Sequence, residues 1–280
     1  MQEALHYEKR DQDVLCVLCP HFCTIREGHT GLCCVRRNTG GVLYTLNYGK
    51  ITSIHADPVE KKPLIQFMPN TYTLSLGSFG CNLACPFCQN HTISKGNPPS
   101  YDYLPEEIIE YAIKKNYPSI SYTYSEPSMF YEFMLDTAKL ARDNGLKNIM
   151  VTNGYLNPQP LAGLLPYMDA MNIDLKTYDD EIYRKNLKGS LQPVMDTIEA
   201  SSKKCHVEVT MLVVPGISDD LQGIEKAAIA LSAIDENIPL HLSRYFPRYQ
   251  YSEPATDLNL LENAYAICRR HLKTVVLGNV

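Results

Sequence analysis

The 280-residue chain carries a formal net charge of −5, which excludes the basic character typical of a nucleic-acid-binding domain. No apolar run approaches the ~20 residues needed to cross a bilayer, and residues 1–6 lack the apolar core of a secretion signal. We therefore expect a cytoplasmic protein with no membrane and no nucleic-acid partner. In a reducing compartment its ten cysteines are expected to be metal ligands and buried thiols, not disulfides.

A cysteine-rich head begins the chain. Cys16, Cys19, Cys23 and Cys33 follow the pattern C-x2-C-x3-C-x9-C, with glycines between them that turn the backbone. Four soft ligands in a segment too short to have its own core predict a metal site. The pattern fits zinc and an iron–sulfur cluster equally, and Cys34 is an alternative to Cys33 as the fourth ligand. The competing interpretation is a set of reduced, partly buried thiols.

Residues 42–68 are predicted to form a small β element followed by a connector. Apolar and polar residues alternate in residues 42–47, and Tyr48–Lys50 marks a hairpin turn. Residues 57–64 are charged, with a proline near each end, and are expected to lie on a solvated surface. We accordingly divide the chain into a metal-binding head with its hairpin connector, residues 1–68, and a barrel, residues 69–280.

From Tyr72 onward strands and helices alternate. Strands are predicted at residues 72–76, 119–124, 149–152, 171–175, 207–214, 239–245 and 274–277, and helices at residues 104–116, 128–144, 159–168, 191–202, 221–234 and 260–271. Repeated β–α units with nearly continuous apolar strands predict a parallel sheet covered by helices. The fold class is therefore α/β, and about six or seven units suggest a partial barrel.

Three more cysteines lie in one loop after the first of these strands. Cys81, Cys85 and Cys88 have the spacing C-x3-C-x2-C. A [4Fe–4S] cluster used for electron transfer normally takes four cysteines, so three would leave one iron free to bind a small molecule. A structural zinc site with His91 as the fourth ligand is the alternative. The apolar residues between the cysteines, such as Leu83, argue against zinc.

Polar residues follow several strands of the predicted barrel. Asp174 and Lys176 share one face of their strand because side chains alternate. In barrels of this type active sites lie at the carboxyl ends of the strands, where we also expect Glu126, Thr152 and His241. Each of them alone would be an ordinary buried polar residue, but their convergence at one rim predicts a site.

These motifs resemble those of the radical S-adenosylmethionine (radical SAM) superfamily. The cysteine loop, with Phe87 before its last cysteine, resembles the superfamily's cluster-binding loop. The resemblance implies a partial (β/α)6-type barrel and a [4Fe–4S] cluster whose open iron is chelated by the amino and carboxylate groups of SAM. Thr123–Pro127 resembles the Gly-Gly-Glu-Pro motif that contacts the SAM amino group. Glu126 matches that motif, whereas Tyr124 and Ser125 replace the two glycines.

Two further strand ends resemble those of pyruvate formate-lyase activating enzyme. They are Thr152–Gly154 and Ile173–Lys176, although Val151 stands where that family has an aspartate. Together with the polar residues above, the resemblance implies a cofactor-binding set of Ser125, Glu126, Thr152, Asn153, Asp174, Lys176 and His241. No catalytic residue is assigned from the sequence.

The resemblance is strongest to the radical SAM component of the AmmeMemoRadiSam system and covers nearly the whole chain. The motifs that carry it are Cys19–Cys23, Asp57–Leu64, Tyr124–Pro127 and Pro239–Tyr245. Ser218 replaces the family's usual asparagine, and the sequence stops at Val280 where many members continue into a cysteine-bearing tail. The resemblance implies Memo-like and AMMECR-like partner proteins and an external electron donor of the flavodoxin or ferredoxin type.

The activity that this resemblance implies is reductive cleavage of SAM. An electron from the reduced cluster breaks the C5′–S bond, and the 5′-deoxyadenosyl radical abstracts hydrogen from a substrate. That substrate is either a protein, as for a glycyl-radical activase, or a small molecule, so we expect an oxidoreductase. Two alternatives stay open at this point: a structural zinc or iron–sulfur metalloprotein, and an electron carrier that does not use SAM.

Overall fold

The structure, a computed structural model, describes residues 1–96 and 98–280. Its N-terminal part forms small antiparallel sheets with strand orders β1-β6-β5 and β2-β3-β4, and the pair β7-β10. The bounds of these strands are β1 Gln2–Glu3, β2 Tyr7–Arg10, β3 Asp13–Cys16, β4 Thr24–Ile25, β5 Arg36–Thr39, β6 Val42–Thr45, β7 Lys50–Ile51 and β10 Tyr101–Asp102.

An eight-stranded sheet forms the rest of the β structure, in the order β8-β9-β11-β12-β13-β14-β15-β16. Its strands are β8 Ser53–Pro58, β9 Tyr72–Gly77, β11 Ser119–Tyr122, β12 Lys147–Thr152, β13 Ala170–Asp174, β14 His206–Val213, β15 Leu240–Arg244 and β16 Val275–Gly278. β8 runs antiparallel to β9, and every other pair is parallel. The predicted α/β fold with a central parallel sheet is confirmed.

The helices connect successive parallel strands. They are α1 His91–Ser94, α2 Pro105–Lys114, α3 Tyr131–Asp143, α4 Pro158–Leu164, α5 Asp180–Ile182, α6 Leu191–Ser202, α7 Leu221–Asp235 and α8 Leu258–Cys268. Single 3-10 turns occur at Val59–Lys61, Pro127–Phe130 and Leu165–Tyr167, and a π turn at Tyr183–Leu187. Within residues 1–96 and 98–280, no helix combines the length and apolarity required to span a membrane.

Helix α7 shows why these elements form where they do. Its buried residues recur at helical spacing, Ile224, Ala227, Ala228 and Leu231, so one apolar stripe faces the sheet. The helix begins at residue 221 because the Asp220 carboxylate accepts hydrogen bonds from the next backbone N–H groups. Burying Ile224 and Leu231 contributes about 1.5–3 kcal/mol each.

The connector after β8 is the main departure from the sequence-based prediction. Strand β8 joins the barrel sheet as an edge strand. In the segment that follows, Val59, Lys62 and Leu64 are buried, whereas Glu60 and Lys61 are exposed as predicted. Leu64 is fully buried, and Lys62, only 3% exposed, donates a hydrogen bond to Asp57 at 2.7 Å. The Asp57–Lys62 ion pair and the apolar contacts of Val59 and Leu64 offset the cost of burying this part of the charged motif. The division of the chain at residue 68 stays a prediction.

Glu208 attaches this connector to the amino-terminal part of the barrel. Its carboxylate accepts hydrogen bonds from the backbone N–H groups of Ile65 at 3.1 Å and Gln66 at 2.9 Å. It also accepts from the Nε2 atoms of His206 at 2.9 Å and His241 at 2.6 Å. Burial alone would raise the pKa of Glu208, but these four donors lower it to about 2.

Candidate active site

A cavity of about 360 Å³ lies at the carboxyl ends of the parallel strands. The cysteine loop after β9 forms one wall, and the ends of β11, β12 and β13 form the other. The structure brings together in it nine residues predicted from the sequence: Cys81, Cys85, Cys88, Ser125, Glu126, Thr152, Asn153, Asp174 and Lys176. Parallel strands explain this convergence, because their carboxyl ends meet at one edge of the sheet.

Two of the three thiols of the loop have hydrogen-bonding neighbours. Cys81 Sγ accepts from the backbone N–H of Leu83 at 3.4 Å and from Asn153 Nδ2 at 3.8 Å. Cys88 Sγ lies 3.3 Å from Ser94 Oγ. Burial raises the pKa of the Cys81 thiol to about 12. N–H groups directed at sulfur stabilise a metal-bound thiolate and tune an iron–sulfur centre, so this loop fits such a cluster.

The alternative zinc site would take His91 as its fourth ligand. His91 has other contacts: its Nδ1 lies 3.2 Å from the Cys88 carbonyl oxygen, and its ring stacks on Tyr249.

Glu126 joins two strand ends beneath the cavity. Its Oε1 accepts from the backbone N–H of Ser128 at 3.0 Å, from Ser128 Oγ at 2.7 Å and from Thr152 Oγ1 at 2.7 Å. Its Oε2 accepts from the backbone N–H of Asn153 at 2.8 Å. Burial raises the pKa of this carboxyl, and the four donors counteract that rise. Oε2 therefore retains room for one more donor from the cavity.

Asp174 and Lys176 form an ion pair in the same cavity. Lys176 Nζ lies 2.7 Å from Asp174 Oδ2. Burial would lower the pKa of Lys176, but attraction to Asp174 and to the Cys85 thiol outweighs burial and raises it. The pair places a positive charge near the cysteine loop and leaves a carboxylate oxygen facing the cavity.

His241 is not where the sequence-based prediction placed it. It is the second residue of β15, nearer the amino end of the strand, and it does not line the cavity. Its ring instead contacts Glu208. The prediction assumed that His241 would end its strand, whereas β15 continues to Arg244, so residues such as Ser243 reach the cavity rim instead.

Tyr124 belongs to the motif that resembles the SAM-contacting one, but it was not included in the predicted cofactor-binding set. Its backbone φ is +70°, a costly value of about 1–3 kcal/mol for a bulky residue. The phenol donates a 2.5 Å hydrogen bond to Asp57 Oδ2, and Lys62 Nζ lies 4.6 Å from the ring centroid. The neighbouring Lys61 also lines the cavity. The charged motif at residues 57–64, which was expected to lie on a solvated surface, therefore contributes to this wall.

The head cysteines come together in a second, smaller cavity. Cys16, Cys19, Cys23 and Cys33 all line it, together with Arg36. Cys34 is exposed and points elsewhere, with Sγ 3.7 Å from the Leu32 carbonyl oxygen. The geometry therefore favours Cys33 over Cys34 in the predicted set. Burial raises the pKa of Cys19 to about 12 and that of Cys33 to about 11.

Comparison with known families identifies the class of protein. Residues 76–227 match the model of the Radical SAM superfamily. The chain belongs to that superfamily. Radical SAM proteins carry a [4Fe–4S] cluster and use SAM, which agrees with the donor set of the Cys81–Cys88 loop. The predicted relation to pyruvate formate-lyase activating enzymes is also supported.

Three known proteins are similar to this chain in sequence or in fold. The uncharacterized protein MJ0808 of Methanocaldococcus jannaschii is 44% identical over all of this radical SAM chain and 86% of its own length. The pyruvate formate-lyase-activating enzyme of Staphylococcus epidermidis is 26% identical, over 58% of this chain and 72% of its own length. In the solved structure of QueE from Escherichia coli, the fold matches with a TM-score of 0.53 at 12% identity, covering 83% of this chain and 94% of QueE.

Proposed function

We propose that this protein reductively cleaves SAM at a [4Fe–4S] cluster held by Cys81, Cys85 and Cys88. Bound cluster and SAM together supply a 5′-deoxyadenosyl radical for hydrogen abstraction from a substrate. One observation carries the proposal: a three-cysteine loop and the acidic strand-end residues Glu126 and Asp174 line the same cavity. A structural metalloprotein would not require that cavity, and an electron carrier would not require three cysteines opposite carboxylates.

The cavity residues have separate roles in this proposal. Glu126 accepts a hydrogen bond from the SAM amino group through the open side of Oε2. Ser125, whose Oγ has no partner among the described residues, offers a second polar contact, and Asn153 donates to both Cys81 and Asn82. The Asp174–Lys176 pair orients the carboxylate end of SAM.

The substrate and partners are proposed from the relatives. Similarity to pyruvate formate-lyase-activating enzymes supports an activase-like oxidoreductase acting on a protein. The sequence motifs named above support membership of the AmmeMemoRadiSam system, with Memo-like and AMMECR-like partners. A flavodoxin- or ferredoxin-type protein supplies the electron. We also propose a second metal site, zinc or iron–sulfur, in the cysteine-rich head.

The test compares anaerobically purified wild type with the Cys81→Ala/Cys85→Ala/Cys88→Ala variant. The variant should lose about four irons per chain, as one [4Fe–4S] cluster requires, together with the SAM-induced change in the electron paramagnetic resonance (EPR) spectrum and formation of 5′-deoxyadenosine. Cys34→Ala, at an exposed thiol, is the matched control and should behave like wild type. Unchanged iron and sulfide in the triple variant would overturn the cluster assignment.

A further inference from the structure

A third cavity, of about 510 Å³, lies between the head and the cysteine loop. It is lined by Leu32 of the head, by Lys50 of β7, and by Cys81 and Lys95 in and after the loop. Cys81 and Ser94 also line the active-site cavity described above. One cysteine ligand of the proposed cluster can therefore be approached from two sides.

The third cavity gives access to the cysteine loop but not to the SAM site. Glu126, Asp174 and Lys176, to which we assign contacts with SAM, all line the active-site cavity, and none of them lines the third cavity. A substrate must lie against SAM, because the radical that abstracts its hydrogen is formed from SAM. An electron donor must approach the cluster without occupying the place of the substrate. The third cavity meets the requirement of the donor and not that of the substrate.

The charge of the third cavity favours an anionic partner. Its described lining residues include Lys50 and Lys95 and no Asp or Glu, although the whole chain has a net charge of −5. Lys95 Nζ donates to the Leu83 carbonyl oxygen, a neutral acceptor that does not compensate its charge. Lys50 Nζ lies 2.5 Å from Asp102, in a pair whose side chains are 39% and 76% exposed. Exposed ion pairs are weak, so a carboxylate of a partner can replace Asp102.

Apolar side chains accompany these cations. Leu32 is 67% exposed, and Val35, Leu46 and Phe79 line the same cavity. In protein complexes, apolar contacts provide the packing and charges around them steer the encounter. A small anion would use the lysines but not the apolar residues, so the combination indicates a protein partner. Electron-transfer complexes bury less than about 1,200 Å² in total, which a patch of this extent can supply.

We propose that the third cavity is the docking site of the electron donor, a small one-electron carrier protein with an acidic surface. This rests on the proposed function, since it requires the [4Fe–4S] cluster at Cys81. Acidic residues of the carrier contact Lys50 and Lys95, and an apolar residue contacts Leu32. One electron passes from the reduced carrier to the cluster, so the carrier is oxidised, the cluster is reduced, and no covalent bond forms or breaks. SAM and substrate can stay in the active-site cavity during the transfer.

The test follows reduction of the cluster directly, as the loss of its visible absorbance, in anaerobic protein without SAM. Reduced flavodoxin and reduced ferredoxin are the acidic carriers, and dithionite is a small reductant that needs no docking site. Leu32→Glu/Lys50→Glu should slow reduction by the carriers at least about tenfold, because it replaces attraction with repulsion. The rate with dithionite should stay within about twofold of wild type. Ile229→Glu/Lys203→Glu makes the same kind of change at exposed residues elsewhere and should behave like wild type.

Four results would overturn the docking site: unchanged carrier rates in the variant, an equal fall in the control, a parallel fall with dithionite, or no reduction of wild type by either carrier. Added salt should slow the carriers in wild type, since exposed charges are screened. If the variant does not fold, carbodiimide cross-linking of wild type to flavodoxin still decides. The cross-linked residues should include Lys50 or Lys95, and cross-links confined to other lysines contradict the proposal. Failure of dithionite to reduce any cluster in wild type would instead contradict the proposed function.

Discussion

Replacing Glu126 by glutamine tests the proposed SAM site by changing one carboxylate oxygen into an amide NH2. In wild type the backbone N–H of Asn153 donates to Oε2 of Glu126. In the glutamine variant the remaining oxygen keeps its donors Ser128 and Thr152, and the new amide NH2 replaces Oε2 and faces the N–H of Asn153. One charge-assisted bond is lost and two donors oppose each other, each costing about 1–3 kcal/mol. Removal of a buried charge offsets part of this, because burial raises the pKa of Glu126. The net cost should be about 2–3 kcal/mol.

Two measurements follow from that magnitude. At about 2–4 °C per kcal/mol for a chain of this size, the thermal midpoint should fall by roughly 4–12 °C. SAM affinity should weaken by about one to two orders of magnitude, since one charge-assisted contact is worth about 1.5–3 kcal/mol. Ser128→Ala removes one donor but keeps the carboxylate, so it should lower stability by about 1 kcal/mol and leave SAM binding intact. Wild-type SAM affinity in an iron-replete Glu126→Gln protein would refute the reasoning.

Two further predictions concern buried carboxylates outside the cavity. Glu132→Gln leaves the Arg36 guanidinium without its bidentate carboxylate partner at 2.9 Å. Denaturant titration should show that the free energy of unfolding falls by about 3–5 kcal/mol. A decrease below about 1 kcal/mol contradicts this expectation. Glu208 has its pKa lowered from 4.5 to about 2, so its ionised form contributes stability that is complete above pH 4.5 and lost as pH falls toward 2. The free energy of unfolding of wild type should therefore exceed that of Glu208→Gln by about 3 kcal/mol at pH 6. The two free energies should converge near pH 2. A constant difference between pH 6 and pH 2 would show that ionisation of Glu208 is not the source of the added stability.

Local patterns were enough to predict most of the barrel. Helix α6 begins and ends where its apolar spacing predicted, and β14 is shifted by one residue. The bounds of these elements depend on the spacing of apolar residues within a single helix or strand, and that spacing can be read from the local sequence. The Asp174–Lys176 pair was predictable for the same reason, because side-chain alternation fixes which residues share a face. The cavity cysteines were predictable from their spacing and from the resemblance of their loop to a known cluster-binding loop.

The errors arose where long-range contacts decide the structure. His241 was assigned to the wrong end of its strand because strand length depends on pairing with β14 and β16. The buried connector also escaped prediction, since a segment containing Asp57 and Lys62 looks solvated until its partners are known. The contact of Tyr124 with Asp57 belongs to that same connector, so the motif that contains Tyr124 did not show which partner its side chain would take.

The attachment of the connector to Glu208 has a consequence for biosynthesis. Ile65 and Gln66 bond a residue that is 143 and 142 positions further along the chain. At about 5–20 residues per second, the ribosome needs roughly 7–30 s to reach that residue. During this interval the connector and its apolar residue Leu64 lack their final partners, so the N-terminal third must wait for β14 before its native contacts are complete. Interactions of such large sequence separation slow folding, so closing the connector onto Glu208 is expected to be among the last steps in forming the native structure.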